Sequence, residues 1–198
     1  MGNCFWGREM ILADSAILEA IDKKEIVISP FNRECLGSNS YDVHLGKILT
    51  CYNKAQLDSK KDNETINFTI PDYGLLLTPG RIYLGSTVEY TESHKHVPFL
   101  DGKSSIGRLG IFIHATAGRG DVGFCNHWTL ELIVTQPVTV YAGMKIGQLF
   151  FYETKGKVMN PYNKKKDAKY TEVSSDPQSS QMYKNFKEED NGNKKQDN

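Results

Sequence analysis

The chain has 198 residues, 39% of them apolar and 24% charged, with 24 Lys and Arg set against 24 Asp and Glu. That length allows one domain with a real core, or one domain plus a tail, and the composition excludes a wholly disordered chain. Zero net charge weighs against a partner such as duplex nucleic acid, where affinity comes from neutralised phosphates, and no run approaches the roughly 18 consecutive apolar residues of a membrane span.

At the start, Met1-Gly2-Asn3-Cys4-Phe5-Trp6 is close to a myristoylation signal but carries Trp6 where a hydroxyl residue is required. Arg8, Glu9 and Asp14 interrupt the apolar stretch a signal peptide needs, so a cytoplasmic protein is expected. Asp14-Ser15 followed by Ala16, Ile17, Leu18, Ala20 and Ile21 predicts a short amphipathic helix ending near Lys24, capped by Asp14 or Ser15. Beyond Pro30 the pattern changes to strands. Tyr41–Leu45, Thr65–Ile70 and Trp128–Val134 alternate with β-branched and aromatic enrichment, and shorter runs follow at Leu75–Leu77, Arg81–Tyr90, Ile111–Ile113, Val138–Tyr141 and Ile146–Tyr152. Their Gly and Pro punctuation fits an all-β sandwich or barrel. From Lys164 the chain turns polar, and residues 187–198 carry no side chain able to support a core, so a disordered tail is expected there. The stretch before it still holds Tyr162, Tyr170, Met182, Tyr183 and Phe186, enough to fold over a ligand or a neighbouring subunit.

The four cysteines, Cys4, Cys35, Cys51 and Cys125, form no C-x-x-C pair, so neither a disulfide framework nor a structural zinc site is expected. Asp101 to Gly110 places Lys103, Ser104, Ser105 and Arg108 among three glycines. Such a segment offers amides, hydroxyls and cations to a phosphate-rich anion, or is a polar loop beside a strand; it is not a Walker A loop. His114 to Phe124 is a small-residue loop with Asp121 and Phe124, suited to a sugar, or else a tight hairpin whose glycines adopt positive φ. Glu131 shares a strand face with Thr129 and Ile133, opposite Trp128, Leu130, Leu132 and Val134. That face is either solvated or a cleft in which burial and a cation tune the carboxyl for proton transfer. His94 and His96 lack an evident third metal ligand and read as a surface loop, and His114 and His127 read as structural. The zinc-deaminase signature H-x-E…P-C-x-x-C is absent.

Six ordered motifs resemble the dCTP deaminase family of the dUTPase-like superfamily. Ser40 to Gly46 is similar to S-x-D-[LV]-x-L-G, Lys103 to Gly110 to R-S-S-x-[AG]-R-L-G, and His114 to Phe124 to H-x-T-A-[GH]-x-x-D-x-G-[FW]. Thr129–Glu131 is similar to T-L-E, Gly143–Leu149 to G-M-x-I-G-Q-L, and Pro161–Tyr170 to P-Y-x-x-x-x-D-A-K-Y. The resemblance implies a mainly β fold, a distorted jelly-roll or dUTPase-like β-barrel with a short N-terminal helix. Residues 1–160 would form that domain, 161–186 would close over the nucleotide, and the subunits would form a homotrimer with interfacial active sites. It also implies hydrolytic, zinc-independent deamination of dCTP to dUTP and ammonia, with Mg²⁺ bound through the triphosphate and no metal held by the protein itself.

Carried over by position, the resemblance makes Glu131 the general base, with Arg108 and Ser104 orienting the water and stabilising charge and the Ala117 backbone beside them. Lys103, Ser105, Gly107 and Lys169 would hold phosphates, with Ile106 in the same stretch. Asp121 would take the 3′-hydroxyl, Phe124 the sugar face, and Thr129, Leu130, Gln148 and Tyr162 the remainder of the nucleotide. Four positions depart from the pattern: Lys103 replaces an arginine, Val122 the usual proline, Cys125-Asn126 stands where a glycine is usual, and Val173 takes the place of a glutamine. Thr116-Ala117-Gly118 and Gln148 are similar to members that continue to dUMP and diphosphate, whereas Pro161–Tyr170 is similar to members that stop at dUTP. A dUTP diphosphatase and a catalytically silent nucleotide-binding regulator are the alternatives on the same fold. The former lacks its glycine-rich C-terminal motif here, and the latter would not need Glu131, Arg108 and Ser104 together.

Overall fold

The computed structural model describes residues 10–186. The expected polar tail at 187–198 and the myristoylation-like start lie outside the described residues.

The chain opens with α1 (Asp14–Asp22), which buries Ile17 and Ala20 and packs on β1 (Ile26–Ser29). Its N-cap is Ala13 rather than Asp14 or Ser15, because the Asp14 carboxylate turns back to accept the Ser15 amide at 2.8 Å. The strands that follow are β2 (Tyr41–His44), β3 (Ile48–Tyr52), β4 (Thr65–Thr69), β5 (Leu75–Leu77), β6 (Tyr83–Ser93) and β7 (Val97–Gly102). After the single turn α2 (Ser104–Gly107) come β8 (Ile111–Phe112), β9 (Cys125–Val134), β10 (Val138–Val140) and β11 (Lys145–Tyr152). No helix among the described residues is long and apolar enough to cross a membrane.

The strands form three sheets. The largest runs β4-β3-β6-β9-β8, with β1 added to the far half of β6; β2-β11-β7 forms the second and β10-β5 a two-stranded third. All pairings are antiparallel. The mainly β architecture agrees with expectation, but the described strands do not close into one barrel. Long β6 serves two neighbours in turn: Leu84 pairs with Thr50 of β3, while residues from Tyr90 onward pair with β1. A register shift between Ser86 and Tyr90 marks the changeover.

One core joins the sheets. Leu130, Leu132 and Trp128 of β9 meet Val43 and Tyr41 of β2 and Leu149 and Phe151 of β11 in a single buried cluster. The buried Glu89 carboxylate accepts the His44 amide at 2.8 Å and lies 2.5 Å from His44 Nδ1, tying β6 to β2 with a polar pair that satisfies the buried charge.

Three strands, β1, β3 and β7, are additional to those expected from the sequence, and Pro98 sits inside the last of them. Conversely, β4 has the expected alternation yet is exposed at every residue, because it forms the sheet edge beyond β3 with no layer over it. Lys103–Gly110 contains a helical turn rather than a plain loop: the Lys103 carbonyl accepts the Ile106 and Gly107 amides, and Ile106 is buried beneath it.

Candidate active site

Alternation along β9 decides what lies inside. Its even-numbered residues Asn126, Trp128, Leu130, Leu132 and Val134 are buried, while His127, Thr129 and Glu131 are half-buried on the other face. That face is the floor of a cavity of about 430 Å³, whose walls include Tyr52, Leu84, Arg119, Asp121, Phe124, Thr129, Glu131, Tyr162, Tyr170 and Gln178. Glu131 therefore lies in a cleft, not on an open solvated face. Its backbone amide donates to the Ile113 carbonyl at 2.8 Å, and its Oε2 accepts the Ala115 amide at 2.7 Å. Glu131 itself is one of the cavity's lining residues. A carboxylate held in place by a backbone amide is what a positioned proton acceptor requires.

One wall is the loop from His114 to Phe124. It is not the tight hairpin its glycines suggested, because it lies along the edge of β7: the Leu100 amide donates to the Gly118 carbonyl at 2.7 Å and the Gly120 amide to the Pro98 carbonyl at 2.8 Å. A side chain at Gly118 would bring its Cβ within 2.5 Å of the Leu100 carbonyl oxygen, and one at Gly120 within 2.7 Å of the Trp128 ring. The glycines thus permit a close approach that sets Ala117, Arg119 and Asp121 at the cavity. Phe124 follows, its ring 4.8 Å from Trp128 and 6.0 Å from Tyr162, an apolar surface against which a sugar or base can lie.

The roof is the C-terminal segment. Asn126, 1% exposed, donates to the Tyr170 and Glu172 carbonyls at 3.2 and 2.8 Å and accepts the Ser174 amide at 3.0 Å. Ser86 donates to the Ser175 carbonyl at 2.6 Å, Thr129 Oγ1 accepts the Gln178 amide at 3.1 Å, and Tyr52 accepts the Ser180 amide at 3.0 Å. Tyr162 accepts the Tyr170 amide at 3.0 Å, and Tyr170 in turn accepts that of Gln181 at 3.2 Å. Burial pushes the Tyr170 phenol above its ordinary value, against the opposing pull of the Gln181 amide, so it stays neutral over the physiological range. Val173 is 63% exposed and off the cavity, whereas Gln178 lies on its wall. The C-terminal segment lines the cavity through Tyr162, Tyr170, Gln178 and Ser180.

The residues singled out from sequence fall into two groups. Glu131, Ala117, Asp121, Phe124, Thr129 and Tyr162 line the cavity. Lys103, Ser104, Ser105, Ile106, Gly107, Arg108, Leu130, Gln148 and Lys169 are not among its walls. Leu130 and Ile106 are core residues, at 0% and 4% exposure, so anything they offer a ligand comes from the backbone. Ser104, Ser105, Gly107 and Arg108 are exposed on α2 and its C-cap. Gln148, on β11, lies between Asp42 of β2 and Asp101 of β7, with Ser40 Oγ 3.5 Å from its Oε1. Lys103 pairs with Asp42, which also holds Lys145 at 3.0 Å. Two ammonium groups thus share the Asp42 carboxylate.

Sequence reading passed over several wall residues. Arg119 adds a cation, and Lys165 donates to Asp121 at 2.7 Å while lying 6.0 Å over the Tyr162 ring. Asn126 and Gln178 escape because their roles depend on contacts distant in the chain, while Tyr170 is legible only as one of the tail's spaced aromatics. Histidines also sort differently: His94 is exposed, His96 is buried with its Nε2 3.3 Å from Glu25, and His127 lines the cavity while its Nδ1 meets the Thr87 carbonyl at 3.0 Å.

Known proteins resemble this chain over most of its length. The model of the dCTP deaminase-like family matches residues 11–154. A Cytophaga hutchinsonii protein named dCTP deaminase, dUMP-forming, is 47% identical over 171 residues, covering 85% of this chain and 96% of that protein. Proteins of the same name from Clostridium acetobutylicum and Leptospira biflexa are 44% and 45% identical over 177 residues, each covering 89% of this chain and at least 98% of the relative. Among solved structures, the 2′-deoxycytidine 5′-triphosphate deaminase of Agrobacterium tumefaciens aligns with TM-score 0.59 at 20% identity, a likeness of fold. It covers 74% of this chain and 49% of that one, so this chain spans about half the length of that solved protein.

Proposed function

The chain belongs to the dCTP deaminase-like family, and we propose that it converts dCTP to dUTP and ammonia and then to dUMP and diphosphate. The observation that carries the reading is Glu131, its carboxylate anchored by the Ala115 amide on the floor of the cavity. Relatives named dUMP-forming that match nearly end to end support the second step.

In the first step Glu131 takes a proton from water, and the hydroxide adds to C4 of the cytosine ring. The tetrahedral carbon then expels ammonia once the proton held by Glu131 has been delivered to the exocyclic nitrogen, and the proton of the added hydroxyl ends on N3 as the C4 carbonyl forms. General acid–base help of this kind is worth about 10²–10⁴-fold. Phe124 and Tyr162 pack the sugar, Asp121 receives the 3′-hydroxyl, and the tail from Tyr162 to Ser180 excludes water from the amidine. In the second step another water attacks the α-phosphorus and diphosphate leaves. Mg²⁺ bound through the triphosphate would spread phosphate charge and ease that departure. The protein's own groups suit a metal brought by the substrate: Asp42 is engaged by two lysines and Asp121 by Lys165.

Arg108 and Ser104 belong to this chemistry but stand outside the cavity of their own chain. A second copy of the chain completes the site by bringing its α2 to this cavity, with Lys103, Ser105 and Gly107 on the phosphates. That arrangement is the homotrimer with interfacial sites, and exposed Leu109, Phe112 and Ile133 beside α2 give a copy an apolar surface to cover.

The test is to incubate the protein with dCTP and Mg²⁺ and separate the nucleotides by anion exchange. Formation of dUMP and diphosphate with ammonia is expected; accumulation of dUTP would refute the second step. Loss of added dUTP with dCTP untouched would make the chain a diphosphatase, and no change in either would make it a silent binder.

A further inference from the structure

Antiparallel pairing places Glu92 of β6 directly across from Cys125 of β9. His94 lies two residues beyond Glu92, so both side chains project to one face while Ser93 between them is buried. One ligand atom from each of Glu92, His94 and Cys125 lies within 4.8 Å of the others. We propose that these three side chains form a binding site for a zinc-class divalent cation, separate from the nucleotide cavity. The inference does not depend on the proposed function.

The donor set favours that cation class. A thiolate, an imidazole and a carboxylate suit borderline-soft tetrahedral ions rather than Mg²⁺ or Ca²⁺, which take oxygen ligands. Ligand atoms in a tetrahedral zinc site are roughly 3.3–3.8 Å apart, given bonds of about 2.0–2.3 Å, so closing the triangle needs side-chain movements of about an ångström. The surroundings are prepared for it. Tyr90 donates to Glu92 Oε1 at 2.9 Å, orienting the carboxylate from behind, while Glu92 Oε2 turns to His94 Nε2 at 2.6 Å. The cation would take the place of the proton shared by that pair and displace the thiol proton of Cys125, whose other polar contact is the Gly123 carbonyl at 3.5 Å. Side-chain exposures of 40% for His94 and 26% for Glu92 leave an entry path and room for water as fourth ligand.

None of the three residues lines the cavity, so the cation takes no part in activating water there. It would brace the loop beside it: the Gly123 amide donates to the Ser93 carbonyl at 2.6 Å and the Ser93 amide to the Phe124 carbonyl at 3.1 Å. Phe124 is thereby a wall residue tied to the Glu92, His94 and Cys125 cluster.

The experiment is titration of the untagged, reduced, chelator-treated full chain with Co²⁺, followed by absorbance. A thiolate-to-cobalt charge-transfer band saturating at one ion per chain, and displaced by Zn²⁺, is expected. Cys125→Ser should abolish the band. His94→Gln, at an exposed side chain, should weaken binding about tenfold or more in a variant whose thermal melt matches the parent, since even outer-shell partners are worth 10–100-fold. A band that persists in Cys125→Ser, unchanged affinity in His94→Gln, or no band at saturating Co²⁺ would overturn the assignment.

Discussion

The Asn126 carboxamide donates to the Tyr170 carbonyl at 3.2 Å, joining the floor strand of the cavity to the segment that roofs it. Because Asn126 also binds Glu172 and Ser174, one buried side chain fixes three points of the roof.

Asn126→Ala should therefore loosen the roof. Net hydrogen bonds contribute about 0.5–1.5 kcal/mol each, and three of them amount to a roughly tenfold or larger rise in KM for dCTP. The effect on kcat should be smaller, because Glu131 keeps its Ala115 contact. Steady-state kinetics with a parallel thermal melt checks this; an unchanged KM in a folded variant would show that the strap does not serve binding.

Burial alone would raise the Asp42 carboxyl, but hydrogen bonds from Lys103 and Lys145 outweigh it and hold that group below its ordinary value. A depressed folded value means that the ion pairs stabilise the protein fully above the unfolded carboxyl value of about 3.9 and lose that contribution as pH falls through the folded one. Asp42→Asn should thus lower stability at neutral pH, and its gap from the parent should narrow steadily below about pH 4. Denaturant unfolding across pH reads this directly. A gap independent of pH would assign the stabilisation to packing.

A site shared between copies predicts complementation. Glu131→Gln and Arg108→Ala should each be inactive alone, yet unfolding and refolding them together should restore a fraction of the activity, since some mixed assemblies contain one intact site. Recovery of no activity, with mixed assemblies demonstrated by native mass spectrometry, would place both groups in one chain's site.

Legibility in the sequence followed the range of the interactions involved. β9 and β11 could be read because burial alternates along them, and Glu131 stood out as a carboxylate within an apolar strand. β1, β3 and β7 could not, being held by their sheet neighbours rather than marked by a pattern of their own. α2 read as a loop because Ser104, Ser105 and Gly107 are poor helix formers, and the turn exists by virtue of Ile106 anchoring it in the core. The roof was visible only as spaced aromatics. That Asn126 would hold it follows from a β-strand position whose partners lie far along the chain. The Glu92, His94 and Cys125 cluster was invisible to cysteine spacing for the same reason: its ligands are brought together by strand register.

The central claim is that Glu131 is the base of a deaminating site, and Glu131→Gln tests it most directly, because the amide keeps the shape and removes the proton acceptor. Ammonia release from dCTP should fall by about 10²–10⁴-fold or more while dCTP binding, read by calorimetry, stays within a few fold of the parent. Near-parental ammonia release with intact binding would contradict the account and place the base elsewhere in the cavity.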